Sequence, residues 1–373
     1  MTSEKKKHSP PKSATEVVVD SSRVHYEKKK LFNPEGSDAL DQRKMIGGNS
    51  TNLFNLNNVK FPWANKSYRA MMENFWIPEK VSLTNDKVDY DKLTKSEQRA
   101  YNGILSFLVF LDSIQTNNLP NVADHITAPE VKLALAVQTF QEAVHSQSYA
   151  VIIETIIPKG DKDKVYDYWR KDNVLFKRNE YIAGIYQEFI DEPSDENFGK
   201  IMVADYLLEG LYFYNGFNFF YNLAARNLMI GTKDMIKYIH RDELTHAALF
   251  EKIIKTIRQD NKKIISDEMI IAMFNEAVKH EIEWGKHIIG DDVLGMSPAA
   301  IEQHTYWLAN HRLKQFGIKP QFPEITENPF KHLNKIADLN SDGDSKGNFF
   351  EATVTSYNQS TVLSDWDDID DIK

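Results

Sequence analysis

Hydrophobic residues recur at helical spacing through most of the chain, and the alternating β-branched runs typical of strands are few. Thr94 and Glu97 have the spacing of a capping box, which predicts a helix that runs past Leu111 toward Asn118 and Pro120. Six more helices are predicted over Pro129–Ile157, Lys177–Asp191, Asp195–Leu228, Thr232–Gln259, Asp267–Ile289 and Ser297–Phe316. Long helices joined by short turns predict an all-α bundle that forms one domain.

The two ends of the chain differ from this central part and from each other. Residues 1–30 carry eight Lys or Arg against four Asp or Glu and have no apolar period, which predicts a mobile basic arm or a solvated tail without a role. Residues 337–373 carry nine Asp or Glu against two Lys or Arg, with a linker-like stretch at Asn340–Gly347. We therefore predict a helical domain over 31–336 and a flexible acidic tail over 337–373 that docks to a partner.

Composition excludes several classes of protein. With 42% hydrophobic residues among 373, the chain is neither wholly disordered nor fibrous. A net charge of −9 argues against a general nucleic-acid binder, and no apolar run predicts a membrane span or a secretory signal. We therefore expect a cytoplasmic protein. The absence of cysteine excludes disulfides, thiolate metal sites and dithiol chemistry performed by this chain alone.

Acidic residues within strongly apolar helices point to a metal site, because carboxylates are rarely buried without a partner. Asp112 and Glu209 lie in such helices, although either one alone could lie on a helix edge. Only two of the eleven histidines follow a glutamate by three residues, and this spacing places both side chains on one helix face. The two pairs are Glu142 with His145, and Glu243 with His246.

Two Glu-x-x-His pairs with two further acids match the pattern of a four-helix di-metal carboxylate site. Four carboxylates balance the charge of two divalent cations. Oxygen and imidazole ligands without sulfur suit iron or manganese and disfavour structural zinc. The predicted ligands are Asp112, Glu142, His145, Glu209, Glu243 and His246.

These segments resemble the small, or β, subunit of class I ribonucleotide reductase, from about Phe61 to Phe330 and again in the tail. The resemblance implies a ferritin-like bundle in which Asp112, Glu142 and His145 hold one metal. It assigns the other three ligands to a second metal, with both Glu-x-x-His glutamates as bridges. The family uses oxygen at this site to generate a radical.

Tyr149, four residues after His145, matches the tyrosine that stores this radical in the family. Phe213, Phe217 and Ile239 match the apolar pocket around it, although an ordinary core stripe has the same spacing. Tyr149 also has an ordinary interpretation, because a tyrosine in a core helix usually packs and donates one hydrogen bond without any further role.

Three further residues match the family's path for radical transfer. Trp76 and Asp242 would form a hydrogen-bonded chain with His145, in which Asp242 accepts from the free imidazole nitrogen. Tyr357 matches the tail tyrosine that passes the radical across the subunit boundary. Without the resemblance, Trp76 would be interpreted as a core residue and Tyr357 as a residue of an unstructured tail.

The resemblance implies a ribonucleoside-diphosphate reductase subunit that acts with a separate large, or α, subunit, which holds the cysteines, and that pairs with itself as a homodimer. We expect two iron ions, with di-manganese and mixed manganese–iron as alternatives. The competing hypotheses are an oxygen-dependent di-iron hydroxylase, desaturase or oxidase, and a ferritin-like iron store.

Overall fold

The structure is a computed structural model that describes residues 29–337. Within this range the only β pairing is an isolated antiparallel bridge between Ile46 and Ile126, so the all-α prediction is confirmed. A π-helical segment occupies Leu208–Tyr212, and short 3-10 turns occupy Leu56–Asn58, Pro78–Lys80 and Lys331–Leu333. The α-helices are α1 (Pro62–Glu73), α2 (Asp86–Lys92), α3 (Lys95–His125), α4 (Pro129–Ile156), α5 (Lys162–Lys171), α6 (Asn173–Asp191), α7 (Asp195–Leu207), α8 (Tyr214–Ala225), α9 (Ile230–Asp260), α10 (Asp267–Ile289), α11 (Pro298–Gln315) and α12 (Asn334–Ala337).

The predicted basic arm lies outside the described residues except for its last two positions. Tyr357 and the rest of the predicted acidic tail after Ala337 also lie outside them. The proposed division into arm, domain and tail therefore stays a prediction. In the described part of the chain, no helix is long and apolar enough to cross a membrane.

Helix α3 begins at the predicted capping box but continues beyond the predicted end. The Thr94 hydroxyl accepts from the Glu97 amide at 3.2 Å, and the Glu97 carboxylate accepts from the Thr94 amide at 2.9 Å. The helix passes through Pro120, which lacks an amide hydrogen, and ends at His125. Because Val122 and His125 continue the buried face beyond Pro120, tertiary packing outweighs the lost hydrogen bond.

The predicted single helix over Asp195–Leu228 is wrong in detail. Helix α7 ends at Leu207, the π-helical segment Leu208–Tyr212 follows, and α8 begins at Tyr214. A π turn contains one residue more than an α turn, and such turns are frequent at functional sites. Glu209 lies inside this segment.

The start of α9 is fixed by a buried carboxylate from α2. Asp86 accepts from the Gly231 and Thr232 amides at 2.9 and 2.6 Å, which satisfies donors that a helix N-terminus leaves free. A Cβ at position 231 would lie 2.2 Å from the Ser82 carbonyl oxygen, so glycine is required there. This contact sets the position of α9, which carries two of the predicted ligands.

The bundle core is formed where α3 packs on α4, and where α4 and α7 pack on α9. Leu108 of α3, Ile152 of α4 and Ile239 of α9 are all fully buried in this core. The predicted acidic residues and histidines lie on the same inward faces. Their burial therefore follows from the packing of the four helices that carry them.

Candidate metal centre

All six predicted metal ligands are fully buried and lie together in the core. Helix α3 contributes Asp112, and the π-helical segment contributes Glu209. Helices α4 and α9 each contribute one Glu-x-x-His pair on a single face, as the spacing predicts. Their potential ligand atoms form two overlapping groups, and within each group all atoms lie within 4.8 Å of one another.

The first group surrounds the His145 imidazole. Its Nδ1 lies 3.0 Å from Glu243 Oε1, 3.6 Å from Glu142 Oε2 and 3.7 Å from Asp112 Oδ2. Three carboxylates from three helices therefore converge on one ring nitrogen.

The second group has the same construction around His246. Its Nδ1 lies 3.0 Å from both Glu142 Oε1 and Glu243 Oε2, and 3.4 Å from Glu209 Oε2. Glu142 and Glu243 thus direct one oxygen toward each histidine. Two neighbouring cation positions that share two glutamates fit this arrangement.

The hydrogen bonding of the carboxylates also fits a pair of cations. Among the described residues, six of the eight carboxylate oxygens make no hydrogen bond: both of Asp112, both of Glu142, Oε2 of Glu209 and Oε1 of Glu243. Buried carboxylate oxygens are costly unless they are hydrogen-bonded or coordinate a metal. The donor set of carboxylates and imidazoles suits iron or manganese.

The pKa values within the cluster indicate strong coupling between its charges. Burial, followed by the charge of Glu142, raises the pKa of Asp112 well above its ordinary value. Burial alone would also raise the pKa of Glu142, but the two imidazoles lower it to about 2. Burial alone would lower the pKa of His145, but the neighbouring carboxylates of Asp242 and Glu142 raise it to about 10. Metal binding at such a cluster displaces protons.

Two glutamines hold Glu209, and sequence reasoning missed both. Gln115 and Gln138 donate to Glu209 Oε1 at 2.9 and 2.8 Å. Tyr186 in turn donates to Gln115 Oε1 at 3.0 Å. One carboxylate oxygen is therefore fixed by amides, which leaves Oε2 directed toward His246. A signal was available, because Gln138 precedes Glu142 by four residues and Gln115 follows Asp112 by three.

Each histidine has a partner for its second nitrogen. Asp242 Oδ2 lies 3.3 Å from His145 Nε2, the contact that the resemblance implied. Gln141 Oε1 lies 2.9 Å from His246 Nε2, and sequence reasoning missed this contact. Gln141 also donates to the Met71 carbonyl at 3.2 Å, which fixes the orientation of its amide. Such partners set the tautomer and ring orientation of a metal-binding imidazole.

Trp76 joins this arrangement from the surface side. Its Nε1 donates to Asp242 Oδ2 at 2.9 Å, so Trp76, Asp242 and His145 form one hydrogen-bonded chain. Tyr238 stacks on the indole with ring centroids 5.1 Å apart, and Arg241 contacts the other oxygen of Asp242 at 3.2 Å. The last two residues were not predicted, although Arg241 is adjacent to Asp242 in the sequence.

Tyr149 is fully buried, and its hydroxyl faces the Asp112 carboxylate. Burial, and then the negative charge of Asp112, raises the pKa of Tyr149 well above its ordinary value, so the phenol is neutral. Phe213, Phe217 and Ile239 are buried in the same core. This phenol therefore lies near a cluster of carboxylates in a dry environment.

Comparisons with known proteins agree with this site. Residues 53–329 match the family model described as "Ribonucleotide reductase, small chain". A ribonucleoside-diphosphate reductase subunit beta from Treponema pallidum is 40% identical, over 93% of this chain and 99% of the relative. The corresponding protein from Halalkalibacterium halodurans is 35% identical, over 92% of this chain and 99% of the relative.

A solved structure shows the same fold. The structure of a ribonucleotide reductase subunit from Clostridium botulinum superposes with a TM-score of 0.81 at 44% identity, and covers 84% of this chain and 99% of that one. The ferritin-like architecture predicted from the sequence is thereby confirmed. Together with the family match and the two relatives, this likeness shows that the chain belongs to the family of ribonucleotide reductase small chains.

Proposed function

We propose that this chain is the radical-generating small subunit of a ribonucleoside-diphosphate reductase, with the stored radical on Tyr149. The observation that carries the proposal is a fully buried tyrosine beside two ligand groups that share Glu142 and Glu243. The hydroxylase and iron-store hypotheses are not favoured, because the relatives at 35–40% identity are reductase subunits.

The chain's residues would divide the work as follows. Asp112, Glu142, His145 and Glu243 would hold one metal, and Glu142, Glu209, Glu243 and His246 would hold the other. The bound metals, with oxygen as oxidant, supply the oxidising power for a one-electron step. Tyr149 would give up one electron to this oxidant and its hydroxyl proton to the water formed as oxygen is reduced, and the surrounding core would exclude bulk water and other reductants. We propose two iron ions, with di-manganese or mixed manganese–iron as the alternatives, because such ligands suit both elements.

The hydrogen-bonded chain from Trp76 would carry the electron and proton between the surface and the ligands. The indole N–H and the His145 N–H both face one oxygen of Asp242, so this carboxylate links the two rings directly. Tyr357, outside the described residues, would continue the transfer to the large subunit. The chain contains no cysteine, so thiol chemistry on the ribose must come from that partner.

We also propose that the chain forms a homodimer. Met72, Phe75 and Phe140 are exposed apolar residues, and the rings of the two phenylalanines stack with centroids 6.2 Å apart. Apolar patches of this kind are typical of interfaces between proteins. A cytoplasmic location remains a prediction from the sequence.

The test is aerobic reconstitution of the metal-free protein with Fe²⁺, and separately with Mn²⁺, followed by metal analysis and an EPR spectrum. The proposal predicts two metals per chain and a tyrosyl signal. A protein that mineralised many irons per chain without a radical would support the iron-store hypothesis instead. Hydroxylation of an added organic substrate would support the hydroxylase.

A further inference from the structure

The π-helical segment Leu208–Tyr212 depends on side chains from other helices for some of its backbone hydrogen bonds. A π turn disturbs the regular α-helical pattern, and buried carbonyl groups require partners. Two carbonyl groups of this segment, those of Gly210 and Tyr212, accept hydrogen bonds from arginines. These arginines lie on α11 and α6.

Arg312 of α11 contacts the backbone immediately after Glu209. Its Nε donates to the Gly210 carbonyl at 2.9 Å, and its Nη2 donates to the Tyr214 hydroxyl at 2.6 Å. A Cβ at position 210 would lie 3.2 Å from Arg312 Nε, closer than ordinary van der Waals contact. Glycine at position 210 therefore leaves room for the guanidinium group.

Arg178 of α6 makes a similar contact at the end of the segment. Its Nη2 donates to the Tyr212 carbonyl at 2.6 Å, and its Nε donates to Glu281 of α10 at 2.9 Å. The guanidinium carbon lies 3.7 Å from the centroid of the Phe107 ring. The Arg178 side chain is almost fully buried, and burying an ion pair carries a large desolvation cost.

We propose that Arg178 and Arg312 are positioning residues that hold the segment in its π conformation, and so direct Glu209 Oε2 toward His246. Each helical residue turns the chain by about 100°, so loss of the extra residue from the turn would rotate Glu209 relative to α8. Gln115 and Gln138 fix the other oxygen of the same carboxylate. The arginine contacts with the backbone and the glutamine contacts with the side chain thus both orient Glu209.

This inference rests on the ligand assignment of the proposed function and adds residues that do not touch the metals themselves. Its test uses the full-length metal-free chain, titrated with Mn²⁺ alone by calorimetry. In Arg312→Gln we expect one of the two Mn²⁺ affinities, that of the site that includes Glu209, to fall by about 10- to 100-fold, the range typical when a residue supporting a metal ligand is removed. The other affinity should change less than about threefold, because the group around His145 does not include Glu209.

Hydrogen exchange and two further variants separate positioning from general stability. Backbone amides of residues 208–213 should exchange faster in Arg312→Gln, while those in the middle of α4 should not. Gly210→Ala adds one methyl group too close to Arg312 Nε, so the guanidinium must shift by a few tenths of an ångström, although alanine favours helix by about 1 kcal/mol. Gly210→Ala should therefore weaken Mn²⁺ binding at the same site without lowering the melting temperature. This variant replaces Arg312→Gln as the test if Arg312→Gln does not fold.

A matched control is Arg43→Gln, which removes another buried arginine paired with Glu130, far along the chain from the segment. It should leave both Mn²⁺ affinities unchanged. In a Glu209→Ala background, Arg312→Gln should have no further effect on Mn²⁺ binding, because its influence passes through Glu209.

Wild-type Mn²⁺ binding and wild-type exchange in both Arg312→Gln and Gly210→Ala would overturn the inference. Equal weakening of both sites with a lower melting temperature would also overturn it, because that pattern indicates a merely structural role. Failure of the proposed function is distinct, since a chain that binds two metals but forms no tyrosyl radical would contradict the function alone.

Discussion

Trp76 and Asp242 are 166 residues apart in the sequence, yet the indole N–H of Trp76 donates to the Asp242 carboxylate at 2.9 Å. The same oxygen lies 3.3 Å from His145 Nε2. This carboxylate therefore connects an aromatic side chain near the surface to a buried imidazole. Under the proposed function, this connection would be the route for the electron and the proton.

Replacing Trp76 tests this route. Trp76→Phe removes the N–H donor while keeping an aromatic ring, so the chain should still bind two metals. Deoxynucleotide formation with the large subunit should fall by about 100-fold or more, the upper end of the effect expected for a partner of a ligand. The control is Trp63→Phe, because Trp63 is a partly buried tryptophan that does not belong to the hydrogen-bonded chain of Trp76, Asp242 and His145. This variant should retain activity. Equal activity in both variants would remove Trp76 from the path.

Removing a shared glutamate should disrupt the metal centre. Glu243 lies in both ligand groups, so Glu243→Ala should lose at least one metal per chain in aerobic reconstitution. Glu251→Ala, two turns later on α9 and paired with Lys255 near the surface, should keep both. Metal analysis of the two variants decides the matter, and full occupancy with a native spectrum in Glu243→Ala would contradict the ligand assignment.

Much of the fold could be predicted because helix signals were local. The capping box at Thr94, the start of α4 at Pro129 and the bounds of α10 all agree with the structure. The π-helical segment could not be predicted. Nearly every residue from Phe198 to Ala224 is buried, so no polar face records where the helical phase shifts by one residue.

The ligand cluster was also accessible from the sequence, because i, i+3 spacing places a carboxylate and an imidazole on one face. The supporting contacts were less accessible. Gln141 is a common residue type next to Glu142, and nothing in its spacing indicates a bond to His246. Arg178 and Arg312 lie on other helices, and only the packing of those helices brings them to the carbonyl groups of the π-helical segment.

A buried histidine should make stability depend on pH. Burial lowers the pKa of His304 to about 3, below the value of about 6.5 expected for the unfolded chain. Protonation of His304 therefore favours unfolding. The contribution of the neutral imidazole to the free energy of unfolding is fully present above about pH 6.5 and is lost as the pH falls toward 3. The slope for one group is at most about 1.4 kcal/mol per pH unit. The measurement is the free energy of unfolding of the metal-free protein, taken from urea titrations at pH 7 and at pH 5. This free energy should fall less between the two pH values in His304→Gln than in wild type. Parallel curves would contradict this assignment.

The tail should be necessary for turnover but not for the metal centre. Deleting residues 348–373 should leave the fold, two metals and the radical intact, because the metal ligands all lie between residues 112 and 246. Binding to the large subunit and nucleotide reduction should be lost. Tyr357→Phe should keep subunit binding and still abolish turnover, because only the hydroxyl is removed. Wild-type turnover in either variant would exclude the tail from the mechanism and favour the hydroxylase hypothesis.

The central claim is that Tyr149 is the oxidised residue, and an EPR comparison of wild type with Tyr149→Phe tests it most directly. Both proteins are reconstituted aerobically with Fe²⁺, and in parallel with Mn²⁺, and their metal content is measured. Phenylalanine keeps an aromatic ring in the same buried position and removes only the hydroxyl. We therefore predict two metals per chain in both proteins and a tyrosyl signal in wild type only. An identical radical signal in Tyr149→Phe would contradict the claim.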